Sequence, residues 1–208
     1  MKSPRARLFD ALDLPEEVRD GLVAWQQRGL TDPALRPMRR EALHVTLCFL
    51  GYHPEKAIGR IAEIVEAVEP RAVELRFETE AAPLPKGRPR LYALGAESEA
   101  AVRLQAELSD ALEAKRFYEP EKRAFWPHVT VARVRSERLP PGPGQRRGKG
   151  RPKRVQTQPR KPPKALLGPF GAVRIALYRS NLRPQGAEYS SLAGIDLPPP
   201  AEGRSQKR

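Results

Sequence analysis

Apolar residues along this chain recur either at every second position, as in strands, or at every third to fourth position, as in helices. Helical spacing follows Pro15 and Pro54, which suit the first turn of a helix, and Ser98, which suits an N-cap. The pattern predicts helices over 15–29, 54–70 and 98–116, and strands over 7–12, 43–50, 73–77, 90–94, 127–133, 172–178 and 189–195.

Two of the predicted strands carry the same short motif. Leu43-His44-Val45-Thr46-Leu47 is repeated as Pro127-His128-Val129-Thr130-Val131 in a chain with 3 histidines. From the residue frequencies, a chance double occurrence is on the order of 10⁻⁴. In a strand, side chains two apart point the same way, so each copy presents an imidazole and a hydroxyl to one surface and apolar residues to the other.

The repeat extends beyond the motif. Arg7-Leu8-Phe9 resembles Arg90-Leu91-Tyr92, and each segment is followed by a predicted helix and then by a motif strand. The pattern predicts two pseudo-symmetric lobes whose motif strands meet near a pseudo-two-fold axis. Phe9 and Tyr92 would then hold equivalent places, where core packing is favoured over stacking on a base.

The formal charge of +13 is concentrated in one segment. Residues 136–164 contain ten Lys and Arg against one acid, whereas the remaining body is close to neutral. This segment has almost no apolar content, so it cannot bury a core, and we expect a disordered insertion. Two uses remain open, a solvated tether or a sequence-independent arm that binds RNA. A second disordered segment is predicted over 198–208.

Other features limit the class of protein. No apolar run is long enough for a transmembrane helix, and residues 1–5 do not begin a signal peptide. The single cysteine, Cys48, excludes an internal disulfide and a multi-cysteine zinc site, and core packing is its expected role. These features predict a cytoplasmic protein.

Two imidazoles facing each other across a cleft can act at neutral pH as one acid and one base. The sequence contains no G-x-S-x-G motif, no P-loop and no acidic cluster for two metals. Cleavage of a cyclic phosphodiester needs little more than proton transfer and phosphate positioning, so it fits these residues. The alternatives are ordinary buried histidines, a two-histidine metal site, and threonines that serve only as strand formers.

At these motifs the sequence resembles the 2H phosphoesterases, and within them the RNA 2′,3′-cyclic phosphodiesterases once called 2′-5′ RNA ligases. The residues that carry the resemblance are Leu8-Phe9, Leu14-Pro15-Glu16-Glu17-Val18, the two motifs with Phe49-Leu50-Gly51, Trp126 and Ala132-Arg133, and Leu177-Tyr178-Arg179-Ser180. The resemblance implies one α+β domain over 5–197. It would be bilobal, with two mainly antiparallel sheets flanking a central cleft and helices outside.

The resemblance also implies roles for five residues. His44 would donate a proton to the leaving 3′ oxygen, and His128 would accept one from water. Thr46 and Thr130 would bind phosphate oxygens, and Arg133 would also suit the phosphate. Strand alternation turns Arg133 away from the cleft, because it lies five residues after His128, unless the strand bulges or ends first.

The implied activity is hydrolysis of RNA 2′,3′-cyclic phosphate ends to a 2′-phosphomonoester, and some members of the family also catalyse the reversible 2′-5′ ligation. No metal and no cofactor are expected, RNA ends are the expected partner, and we expect a monomer without membrane contact. Two alternative functions remain open. One is an RNA-binding protein that uses the basic insertion, and the other is a phosphodiesterase for a small cyclic nucleotide.

Overall fold

The computed structural model describes residues 4–137, 150–183 and 186–201. Within these ranges the chain forms three α-helices and eleven strands. The helices are α1 (Glu16–Gly29), α2 (Ile58–Glu66) and α3 (Glu99–Ala114). The strands are β1 (Arg5–Asp13), β2 (Leu35–Pro37), β3 (His44–Pro54), β4 (Glu74–Leu84), β5 (Leu91–Glu97), β6 (His128–Val134), β7 (Ser136–Glu137), β8 (Arg151–Pro152), β9 (Phe170–Gly171), β10 (Arg174–Arg183) and β11 (Gly186–Asp196).

Two of the three helices begin where the local signals predict. Helix α1 begins directly after Pro15, and α3 begins after Ser98, whose Oγ accepts a hydrogen bond from the Ala101 amide at 3.0 Å. Helix α2 begins later than predicted, because Pro54 ends β3 and a short 3₁₀ turn precedes the helix. None of the helices in the described ranges is long and apolar enough to cross a membrane.

Nine strands form one antiparallel sheet whose two lobes meet at a narrow seam, and β7 and β8 form a separate two-stranded sheet. The first lobe has the order β11-β10-β1-β3, and the second has the order β6-β5-β4-β9 with β2 also against β6. The paired residues at the seam are Val45 of β3 and Val129 of β6. Since these valines hold the same place in the two motifs, the pseudo-two-fold axis passes between them. The predicted α+β fold with mainly antiparallel strands is therefore confirmed, and its two lobes belong to one continuous sheet.

The strands that follow the motifs cross between the lobes. Strand β4 comes after the first motif but pairs with β5 in the second lobe, and β10 comes after the second motif but pairs with β1 in the first. Helix α1 also reaches across, since the Gln26 amide donates to the Val131 carbonyl at 2.8 Å. Each lobe is thus built from both halves of the chain.

Two strands run further than the turn residues predicted. Strand β3 continues past Gly51, which has φ +75° beside a break in the β1–β3 register, where glycine is tolerated. Strand β4 extends into the predicted loop at 82–89. Pro83 fits there because the pairing with β9 covers the other end of β4, which leaves this part at an edge.

The C-terminal part of the basic insertion is attached to the second lobe, which differs from the predicted disorder. We call residues 151–164 the basic strap. Asp32 Oδ2 accepts hydrogen bonds from the Gln156 and Thr157 amides at 2.6 and 2.7 Å, and the Trp25 indole donates to the Arg160 carbonyl at 3.0 Å. Polar contacts to backbone hold this segment, Val155 packs against the hydrophobic core, and Pro162 is buried.

The rest of the predicted disorder lies largely outside the described residues, namely 138–149 of the insertion and 202–208 of the tail. At the start of the tail, Pro200 packs so closely on Gly171 that a Cβ at the glycine would overlap the proline ring. The described start of the tail thus contacts the folded body at Pro200, and disorder over 198–208 stays a prediction.

Candidate active site

The two motif strands bring four polar side chains to one face. Val45 and Val129 are opposite each other and buried, so continuing the antiparallel register by one residue puts His44 beside Thr130 and Thr46 beside His128. These four side chains are half-buried and point away from the valines. Each histidine therefore lies next to the threonine of the other motif.

The second motif strand carries a β-bulge directly after its threonine. Ala93 of β5 is opposite Thr130, but the next residue back, Tyr92, is opposite Ala132. One step along β5 thus matches two steps along β6, with Val131 as the extra residue. Val131 and Ala132 are both fully buried, which breaks the alternation of the strand.

The bulge changes the face of the strand on which the Arg133 side chain lies. After it, Arg133 is opposite Leu91, on the same face as Thr130 and His128. Its side chain lines a pocket of about 490 Å³ together with His44 and Thr46. The structure thus meets the condition set by the sequence, a bulge between the motif and the arginine.

The pocket is rich in positive charge. Arg7 donates to Ser180 Oγ at 2.7 Å, and its guanidinium lies 4.5 Å from the centre of the Phe49 ring. The arginines that line the pocket are Arg7, Arg36, Arg39, Arg133 and Arg183. Arginine guanidinium groups match phosphate oxygens in geometry and charge, so the pocket suits an anion with phosphate groups.

His44 lies in an aromatic environment. Its ring stacks on Phe9 with centroids 5.0 Å apart, and Tyr189 meets it edge-on at 5.3 Å. Within the described ranges, no hydrogen bond reaches the His44 imidazole. Burial lowers the pKa of His44 to about 4, with smaller contributions from the positive charges of Arg19 and His128. The imidazole is therefore neutral at pH 7 in the free protein.

Arg19 is held near His44 by a carboxylate. Asp13, opposite His44 in the register of β1 and β3, lies 3.3 Å from the Arg19 guanidinium. The Tyr178 hydroxyl donates to both Asp13 oxygens at 2.7 and 2.8 Å. Burial raises the pKa of the Asp13 carboxyl more than Tyr178 and Arg19 lower it.

His128 has a different environment. Its Nδ1 lies 2.7 Å from the Trp126 carbonyl oxygen, which can only accept, so Nδ1 carries a proton, and in the neutral ring Nε2 keeps its lone pair. The Trp126 indole stacks on the imidazole, with centroids 4.6 Å apart and planes 17° apart. Glu78 accepts from the indole Nε1 at 3.2 Å.

Two residues raised by the sequence, Tyr92 and Cys48, lie elsewhere or are inert. Phe9 lines the pocket, but Tyr92 is fully buried on the opposite face and donates to Gln158 Oε1 at 3.0 Å, so the predicted equivalence of the two is wrong. Cys48 is buried, as expected of a core residue. Burial, with a smaller contribution from Asp10, raises its thiol pKa to about 12, which leaves it unreactive.

Sequence reasoning missed several residues around the pocket. Arg36, Arg39 and Arg183 lie on or beside short or late strands with no motif to mark them, and Tyr189 was predicted only as strand. Trp126 had a signal, because it lies in the motif that carries the family resemblance. In the described part of the chain, no three His, Cys, Asp or Glu residues are grouped so that they could hold a metal ion.

A comparison with known proteins agrees with this arrangement. Residues 14–140 match the sequence profile of the 2′-5′ RNA ligase superfamily. A Thermus thermophilus protein named RNA 2′,3′-cyclic phosphodiesterase is 32% identical over 206 residues, covering 92% of this chain and 90% of that protein. A protein of the same name from Methanocaldococcus jannaschii is 25% identical over 184 residues, covering 88% and 96%.

Solved structures show the same fold. A crystal structure of a Thermus thermophilus protein superposes with a TM-score of 0.72 at 28% identity, over 92% of this chain and 97% of that one. Escherichia coli LigT, crystallised with 3′-AMP, gives a TM-score of 0.72 at 21% identity, over 93% and 99%. The chain belongs to the 2′-5′ RNA ligase superfamily, the family of 2H phosphoesterases that its two histidine motifs predict.

Proposed function

We propose that this protein hydrolyses RNA ends that carry a 2′,3′-cyclic phosphate and leaves a 2′-phosphomonoester. The observation that carries the proposal is the group of His44, Thr46, His128 and Thr130 on one face of the seam, with Arg133 brought to the same face by the bulge. The names of the relatives from Thermus and Methanocaldococcus support the same substrate.

His128 would act as the base. Its Nδ1–H bond to Trp126 leaves the Nε2 lone pair free to take a proton from water. The water oxygen then bonds to phosphorus while the bond from phosphorus to O3′ breaks. This geometry supports the assignment of His128 as the base, which the two symmetric motifs alone leave open.

His44 would act as the acid that protonates the departing O3′. Its pKa of about 4 describes the free protein, where burial and the charges of Arg19 and His128 disfavour the imidazolium. A cyclic phosphate bound between the motifs brings a negative charge beside His44, which raises the pKa again. Proton uptake at His44 would thus accompany substrate binding, and the imidazolium would form where it is needed.

The remaining groups would hold the phosphate. By the strand register, Thr46 and Thr130 are neutral hydroxyl donors beside the two imidazoles, and Arg133 would add a charged donor to the non-bridging oxygens. The same proton transfers would serve a ribose 5′-hydroxyl in place of water, which gives a 2′-5′ linkage. Ligation is therefore part of the proposal as a secondary activity.

The basic strap would add affinity for RNA. Lys153 and Arg154 are exposed on it, and the Lys153 amide donates to the Arg135 carbonyl two residues beyond Arg133. The strap therefore begins close to the end of the strand that lines the cleft. Its charges would attract phosphates without reading sequence. This segment supports the second candidate, a protein whose main task is to bind RNA.

An oligonucleotide with a 2′,3′-cyclic phosphate end tests the first proposal. The purified protein should convert it to a 2′-phosphate without added metal and in the presence of EDTA. His44→Ala and His128→Ala should each lower the rate by about 10²–10⁴-fold. An intact substrate, or full activity in either variant, contradicts the proposal. Cyclic mononucleotides assayed in parallel test the small-substrate alternative.

Charge neutralisation on the strap tests the second candidate. Lys153→Gln with Arg154→Gln should weaken RNA binding and lower its dependence on salt, with turnover of a saturating short substrate unchanged. This substitution leaves the Asp32 contacts in place, whereas deletion of the strap would remove them. If turnover is absent in the unmodified protein while RNA binding persists and depends on these residues, the binding function is favoured.

A further inference from the structure

One residue, Trp126, contacts His128 in two ways. Its backbone carbonyl accepts the Nδ1–H bond at 2.7 Å, and its indole lies flat against the imidazole at 4.6 Å between centroids. Glu78, on β4, fixes the indole through the Nε1 hydrogen bond of 3.2 Å. We propose that Glu78 is a positioning residue that acts through Trp126 to keep His128 in the Nδ1–H tautomer.

The neighbouring strand makes room for this carboxylate. Gly95 of β5 is opposite His128, and a Cβ at this position would overlap the Glu78 side chain. The equivalent position in the first lobe is Asp13, opposite His44. A carboxylate therefore lies near each histidine. In the first lobe it comes from the paired strand itself, and in the second it reaches over a glycine from the next strand.

The physical reason lies in the two tautomers of a neutral imidazole. Only the form with the proton on Nδ1 presents a lone pair at Nε2, and near-equal tautomers would leave part of the protein without a base. Without Glu78 the indole can rotate, and the residue that supplies the Nδ1 partner loses its anchor. Glu78 accepts from the indole and is not among the described residues that line the pocket with Arg133, so we expect an effect on orientation and not on phosphate binding.

Nitrogen-15 NMR of the histidine rings tests the proposal without any substrate. His128 should show the Nδ1–H pattern at pH 8 in the unmodified protein and in Glu78→Gln, whose amide oxygen still accepts from the indole. Glu78→Ala and Trp126→Phe should give mixed tautomers. Glu74→Ala, an exposed glutamate on the same strand, is the matched control. An unchanged Nδ1–H pattern in Glu78→Ala overturns the proposal.

Kinetics give a second readout, which rests on the proposed function. With a cyclic phosphate oligonucleotide, Glu78→Ala should lower kcat by roughly 10-fold and leave KM within about 2-fold, since orientation of the base is lost but phosphate contacts remain. Glu78→Gln should restore kcat. If the tautomer changes but no protein form turns over the substrate, the positioning role stands and the proposed function fails. If kcat falls without a tautomer change, the positioning role fails.

Discussion

The two motif histidines have the same sequence context but different surroundings. His44 is enclosed by the rings of Phe9 and Tyr189, and burial lowers its pKa to about 4. His128 has one ring against it, Trp126, and a hydrogen bond that fixes its Nδ1 proton. The two histidines thus hold equivalent positions on the seam, but the residues around each position give them different environments.

The same contrast appears one step further along the motif strands. Strand β3 also bulges after its threonine, since Ala11 is opposite Thr46 and Asp10 is opposite Cys48. The residue that follows this bulge is Phe49, the equivalent of Arg133, and it lines the same pocket. One lobe therefore offers a charged donor at this position, whereas the other offers an exposed ring covered by the Arg7 guanidinium. A single phosphate bound asymmetrically fits such a pair.

The largest expected effect concerns whether the two histidines act in one step. His44→Asn and His128→Asn should each lower kcat by about 10²–10⁴-fold, and the double variant should be no slower than the slower single variant by more than about 10-fold. Single-turnover rates on a cyclic phosphate oligonucleotide measure this. His53→Asn, at the third histidine, is the control, because the His53 ring is hydrogen-bonded to the Leu50 carbonyl oxygen and belongs to neither motif. Losses that multiply would show two independent steps.

The next effect concerns Arg133, the residue that follows the bulge in the second lobe. Arg133→Gln should lower kcat/KM by about 10–100-fold, because a charge-assisted hydrogen bond to phosphate is lost. Inhibition by inorganic phosphate should weaken in parallel. Arg103→Gln, an exposed arginine on α3, controls for the loss of one positive charge. Equal losses in both variants would mean that total charge, and not the position of Arg133, governs binding.

The motif strands could be predicted from the sequence, whereas the bulges that follow the motifs could not. Helices α1 and α3 and both motif strands follow from Pro15, Ser98 and the alternation around His44 and His128, all of which are local signals. The bulge at Val131 could be stated only as a condition, because the alternation of apolar and polar residues does not reveal an extra residue in a strand. A register error of one residue also made Phe9 the false counterpart of Tyr92.

The basic strap shows a second limit. Apolar content predicted disorder, since a segment without apolar residues cannot bury a core. Asp32 lies more than one hundred residues earlier and holds the strap through backbone amides, which lowers the pKa of the Asp32 carboxyl. Composition describes a segment by itself, so it cannot report a partner of this kind. Arg36, Arg39 and Arg183 of the pocket escaped prediction for the same reason.

A third prediction uses the pKa of His44. The unfolded chain binds a proton at this residue near pH 6.5, but the folded protein does so only near pH 4, so His44 destabilises the fold as pH falls from about 6.5 to 4. His44→Asn should remove part of this loss, on the order of 2 kcal/mol between pH 7 and 4.5. Denaturant unfolding at both pH values measures it, with His53→Asn as control. An identical pH slope in His44→Asn and the unmodified protein would contradict the low pKa.

The smallest effect compares the residues on the buried face. By register, Asp10 in β1 is the counterpart of Tyr92 in β5, since each is opposite the residue two after its motif threonine. Tyr92 has Gln158 as a partner, whereas neither Asp10 oxygen has a hydrogen bond within the described ranges. Burial raises the pKa of the Asp10 carboxyl well above its usual value, so the folded protein keeps a proton there that the unfolded chain releases above about pH 4.

Stability contributed by Asp10 is therefore lost as pH rises above the unfolded pKa. Asp10→Asn, which cannot ionise, should be more stable than the unmodified protein at pH 7, by about 1 kcal/mol, and the gain should shrink at pH 5. Tyr92→Phe should lose about 1 kcal/mol at both pH values, since a buried hydrogen bond is removed and no ionisation is involved. Urea unfolding of the three proteins at pH 5 and pH 7 separates the two cases. If the gain in stability of Asp10→Asn is the same at pH 5 and pH 7, Asp10 is already ionised in the folded protein. The buried faces of the two lobes would then differ in shape and not in protonation.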